Sequence, residues 1–120
     1  MSVPASILRR LYVKGSLVNT NTGFKFTLKN ILADATIVKP ISITVDGNTV
    51  DTNKVKLVAE GRVLANHEIS ESNTLDFNVN TSIDIVVEGV QLKPGSHVIV
   101  ITTSTREYGD IKFDIKETVK

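Results

Sequence analysis

The chain reads as all-β: an antiparallel β-sandwich with Greek-key, immunoglobulin-like connections and about eight to ten short strands. Three observations predict this class. Apolar runs rich in Ile and Val recur from Ile83 to Ile115, as Ile83-Asp84-Ile85-Val86-Val87, Val98-Ile99-Val100-Ile101 and Ile111-Lys112-Phe113-Asp114-Ile115. Turn residues separate them, Pro94-Gly95 before the second and Tyr108-Gly109-Asp110 before the third. Elsewhere apolar and polar residues alternate with a period of two, the pattern of strands with one buried and one wet face.

From the N-terminus, Ile7 to Val13 mixes apolar residues with Arg9 and Arg10 and is expected to form an edge or partner-facing strand. In Phe24-Lys25-Phe26-Thr27-Leu28-Lys29 the alternation is clean, with the phenylalanines and Leu28 inward. Asn30 to Ala35 reads as a connection, Thr36 to Val38 as a short strand, and Pro40 as a bend or strand start, because it cannot donate to a ladder. Ile41, Ile43 and Val45 resume the alternation. Asp46-Gly47 then predicts a tight hairpin, both residues tolerating positive φ, which returns the chain through Thr49 and Val50.

Val55 to Ala59 and Arg62 to Ala65 pair around Glu60-Gly61, and Leu75, Phe77 and Val79 form the inward face of the next strand. Asn66 to Ser72 is too short and polar for more than a single helical turn. Val98 to Ile101 is apolar on both faces, as suits a central strand or one covered by another subunit. Ile111, Phe113 and Ile115 face inward in a final strand forming a hairpin with Val98 to Thr105.

At 120 residues the chain is one domain, residues 1–120, able to bury about two-thirds of the surface its unfolded form exposes. Composition is even, with neither linker nor fixed-period repeat. With no Cys, the sequence holds no disulfide, thiolate metal site or thiol nucleophile. Fourteen basic and 13 acidic residues leave a net charge of +1, so non-specific attraction to nucleic acid or membrane has no electrostatic basis. Met1 to Gly15 lacks the ordered regions of a secretory leader, and no apolar run approaches the ~20 residues of a membrane span. The expectation is a soluble, cytoplasmic protein in which the Asn80-Thr81-Ser82 sequon is a chance match.

The chemistry-bearing residues are sparse. Of the two histidines, His67 sits with Glu68 in a polar loop without a nearby third ligand, and His97 follows the Pro94-Gly95 turn on the face of Ile99 and Ile101. The reading favoured for His97 is structural, its ring bonding the turn backbone. Asp46, Asn48, Asp51 and Asn53 crowd oxygen atoms into one segment, but their spacing is not that of a calcium loop. Nucleophile elbows and glycine-rich phosphate loops do not occur, and the four phenylalanines fall on inward faces rather than forming a base-stacking surface. No catalytic residue, cofactor site or metal site is therefore assigned.

Three segments together resemble the small β subunit of C-glycoside deglycosidases: Gly23-Phe24-Lys25-Phe26, Val45-Asp46-Gly47, and Leu92-Lys93-Pro94-Gly95-Ser96-His97-Val98. The resemblance spans about Gly23 to Val100. It implies a β-sandwich that packs on a larger barrel-type sugar-enzyme subunit, which would carry the metal and the chemistry. On this basis the expected function is a non-catalytic accessory subunit or assembly module of a carbohydrate-related enzyme complex. The alternative is a self-associating structural or binding sandwich, a homo-oligomer with no enzyme partner. A stand-alone hydrolase or isomerase would need His97 or His67 to converge with at least two carboxylates. Within Ile7 to Val13, Arg10 and Tyr12 are the expected interface anchors, since Arg and aromatics dominate hot spots.

Overall fold

The inward residues of alternating strands can leave water only if two sheets close on each other, and they do. The structure, a computed structural model that describes residues 3–120, contains eleven strands in two antiparallel layers. The first sheet has the order β1-β2-β9-β6-β7, from β1 (Val18–Asn19), β2 (Gly23–Lys29), β9 (Ser82–Glu88), β6 (Val55–Ala59) and β7 (Arg62–Ala65). The second has the order β5-β4-β10-β3-β8, from β5 (Asn48–Thr49), β4 (Ser42–Val45), β10 (Gly95–Thr105), β3 (Ala35–Ile37) and β8 (Leu75–Phe77). On its other side β10 pairs with β11 (Gly109–Val119). Some strands adjacent in a sheet are remote in sequence, as β2 beside β9 and β4 beside β10 are, so the chain crosses repeatedly between layers. This is the expected all-β sandwich. The strands are not uniformly short, for β10 and β11 each run eleven residues.

Alternation explains the core directly. Phe24, Phe26 and Leu28 of β2 oppose Val87, Ile85 and Ile83 of β9 across the first sheet, and Ile99 and Ile101 of β10 oppose Ile115 and Phe113 of β11 across the second. All ten are buried in one cluster where the two inner faces meet.

Both predicted tight turns form. Asp46 and Gly47 have φ of 50° and 85°, and Glu60 and Gly61 have φ of 51° and 76°. Positive φ at both central positions matches the twist of the flanking strands, which is why each closes a two-residue hairpin. Asn66–Glu68 is the single short helical turn expected there.

The N-terminal expectation fails. Ile7 to Val13 is not a strand: α1 (Ala5–Leu8) runs into a 3₁₀ turn at Arg9–Leu11, and extended pairing begins only at Tyr12, which bridges Leu28. The reason lies in the spacing, since Leu8 and Leu11 stand three apart on one helical face and both are buried. Arg9 then clips this segment to β11, its Nε donating to the Asp114 carbonyl and its Nη2 lying 2.6 Å from the carboxylate. Met1 and Ser2, the start of the stretch read as lacking a leader, lie outside the described residues. Among the described residues no helix is long and apolar enough to cross a membrane.

Candidate functional site

Two places gather chemistry, at opposite ends of the sandwich. The first is built on the β4–β5 turn and the start of β10. Asp46 Oδ1 accepts from the Val98 amide at 2.9 Å, and its Oδ2 lies 2.7 Å from His97 Nδ1. The other ring nitrogen, Nε2, is 2.7 Å from the Lys93 carbonyl, one residue ahead of the Pro94-Gly95 turn. Both neighbours only accept, and a neutral imidazole has a single N–H, so the doubly protonated ring suits the site best. The Lys93 carbonyl first, and the Asp46 carboxylate second, raise the His97 pKa above its ordinary 6.5. Reciprocally, the Val98 amide and then the His97 ring hold the Asp46 carboxyl below its ordinary 3.8.

The result is a clasp between a turn and a strand. With both ring nitrogens engaged within the chain, His97 has no free atom with which to move a substrate proton. His67 is exposed on the 3₁₀ turn at Asn66–Glu68. Asp51 caps the next turn by accepting from the Asn53 amide at 2.9 Å. Among the described residues no three His, Cys, Asp or Glu side chains converge in a way that could hold a metal ion. His97 shares a groove with Asp46, Asp51 and Glu88, and among the described residues Asp46 is the carboxylate that bonds its ring.

The second place is an apolar cleft of about 320 Å³ between the sheets. It lies at the Thr103–Ile111 end of β10 and β11, its β10 residues Ile101 to Thr105 standing roughly 13 to 26 Å along the strand from His97 at ~3.3 Å per residue. Leu28 and Ile83 of one sheet and Ile101 and Phe113 of the other line it, together with α1 and the Ile31–Ala33 loop. At the mouth stand Ile7, Ile31 and Tyr108, which are 40%, 45% and 38% exposed.

Three of its polar side chains are engaged by the backbone. Asn30 Nδ2 donates to the Ala33 and Phe77 carbonyls at 2.7 Å each, and its Oδ1 accepts from the Leu32 amide at 2.9 Å. The Thr103 hydroxyl donates to the Lys39 carbonyl at 2.9 Å, and the Thr105 hydroxyl to the Gly109 carbonyl at 3.1 Å. Two lining side chains at the mouth differ: the Tyr108 hydroxyl bonds no partner among the described residues, and Arg10 is exposed and the one charged residue of the lining among those described. Among the described residues no carboxylate forms an ion pair with it.

The two expected interface anchors thus lie in different settings. Arg10 is exposed beside the cleft. Tyr12 is half-buried, its ring 6.4 Å from that of Phe26 at 59° and its hydroxyl accepting from the Leu17 amide at 3.3 Å. Burial first of all raises the Tyr12 phenol pKa above its ordinary 10.0. Sequence reasoning missed the cleft, whose lining comes from seven separate stretches of chain between Val3 and Phe113.

A search of curated proteins finds no match to this chain. Among family models, the one described as Hydroxymethylglutaryl-CoA reductase, N-terminal domain, matches residues 7–120. That match overturns the resemblance to C-glycoside deglycosidase β subunits. The three segments that carried it are a strand start, a hairpin turn and a turn leading into a strand, which the geometry of any sandwich demands of its sequence. The expectation of a barrel-type sugar-enzyme partner rested on that resemblance alone. With all but six of its residues matched, the chain belongs to the family of hydroxymethylglutaryl-CoA reductase N-terminal domains.

Proposed function

We propose that this domain is a non-catalytic accessory and assembly module, cytoplasmic, working beside a larger chain that carries the chemistry. The observation that carries the reading is the state of His97: its two ring nitrogens are spent on Asp46 and Lys93. The other carboxylates with displaced pKa values are also engaged internally. Glu107 bonds the amide and hydroxyl of Thr36, and Asp114 pairs with Arg9. The family description, an N-terminal domain of a reductase, supports a division of labour in which reductase chemistry lies outside this domain.

The test is purification of the tagged protein from its own organism under mild conditions, followed by native mass and identification of the co-purifying chains. A larger chain with reductase activity is the expected result. A monomer or homo-oligomer alone overturns the reading. A second arm replaces His97 with Gln in the assembled complex. Activity should persist once folding is verified, and its loss would assign the ring a catalytic role.

A further inference from the structure

The cleft at the Thr103–Ile111 end has walls mostly of hydrocarbon, with Arg10 the one cation among the described residues of its lining and Tyr108 at the mouth. Water inside needs two to four polar partners, and the hydroxyl and amide groups of Thr103, Thr105 and Asn30 are already committed to backbone atoms. An aliphatic chain needs none. The volume of about 320 Å³ lies at the small end of ligand sites and holds about ten non-hydrogen atoms at ~30 Å³ each. Arg10, without a carboxylate partner among the described residues, offers planar, bidentate donors suited to a carboxylate at the entrance.

We propose that this cleft binds an amphipathic carboxylate with an aliphatic tail of about eight to ten carbons, its tail between the sheets and its head on Arg10. Specificity divides accordingly. The walls select for length and lack of polarity, and Arg10 selects the sign of the head group.

The test is a methyl-detected NMR titration of the full chain with decanoate below its micellar threshold, with decanol and decyltrimethylammonium as comparison probes. Saturable shifts are expected at Ile31, Ile83, Ile101 and Ile111. Shortening the tail should raise Kd about fourfold per methylene removed. Arg10→Gln should weaken decanoate about tenfold while leaving decanol unchanged. Ala33→Trp, at an exposed lining position, should block both probes without unfolding the protein. The proposal is overturned by non-saturable shifts spread over Val63 and Val90, by equal binding of the cationic probe, or by indifference to Ala33→Trp. A dimer in solution that Ala33→Trp dissociates would also overturn it, since a second copy would then fill the cleft.

Discussion

His97 shows how a residue acquires a property that its name does not carry. A raised pKa means that the folded state holds the proton more tightly than the unfolded chain, so the stabilisation is fully present below about 6.5 and is lost as pH rises through the higher folded value. Asp46 acts in the opposite sense. Its lowered pKa contributes stability above about 3.8, lost as pH falls through the lower folded value. The clasp is therefore strongest at mildly acidic pH, between those limits. The difference in Tm between wild type and His97→Gln should be largest near pH 5 and should shrink above neutrality, as thermal melts across that range would show. Asn66 is the second case. Fully buried, it accepts from the Ile41 amide and donates to the Ile41 carbonyl, both at 2.8 Å, so a side chain completes what strand pairing would otherwise supply. Asn66→Ala orphans two buried backbone groups and should cost about 3 kcal/mol in urea denaturation. Asn66→Asp should cost at least as much, because its carboxylate faces the Ile41 carbonyl. The structural role of His97 was legible from its place after a Pro-Gly turn. The role of Asn66 was not, since a buried Asn and a loop Asn differ only in what the fold brings to them.

At the scale of elements, hairpin turns were the most legible feature and the N-terminal segment the least. Asp-Gly and Glu-Gly announce themselves because few residue pairs tolerate positive φ at both positions. Glu60 bears the cost of that conformation, for a side chain with a β-carbon is disfavoured there by about 1–2 kcal/mol. Glu60→Asn should recover about half of this, raising Tm by a few degrees in a thermal melt. Close approach of strands supplies the opposite case. A β-carbon at Gly23 would lie 1.8 Å from the Val87 carbonyl oxygen, so β2 and β9 meet there only because the residue is glycine. Gly23→Ala should destabilise by about 3 kcal/mol or more, with amide exchange accelerated first at the Gly23–Glu88 end of that pair. Ile7 to Val13 misled because one turn of helix and a short edge strand share an irregular apolar pattern. The three-residue spacing of Leu8 and Leu11 fits a helical turn, and their burial on one face decides between the two.

For the whole molecule, stability should follow the layering. β9 is flanked by β2 and β6, and β10 by β4, β3 and β11, whereas β1 and β5 are two-residue edge strands. Native-state hydrogen exchange should therefore be slowest in β9 and β10 and fastest in β1 and β5; uniform protection would contradict this order. The cleft belongs to this scale too, because no single element contains it. It is lined by both sheets together with α1, and most of its lining residues read individually as ordinary core.

The sequence by itself determined that the chain is an all-β sandwich, which faces of most of its strands are inward, though not Val79, which lies exposed beyond β8, and where its tight turns fall. These follow from local rules, the two-residue alternation of a strand and the backbone freedom of Gly and Asp, and they act over a few residues. Only the tertiary structure decided that Arg10 stands over an apolar cleft, that His97 meets Asp46 across fifty-one positions, and that Asn66 replaces a strand at Ile41. Those contacts depend on which strands lie side by side. That order is set by the shared packing of two whole faces, a property of the assembled layers that no short stretch of sequence encodes.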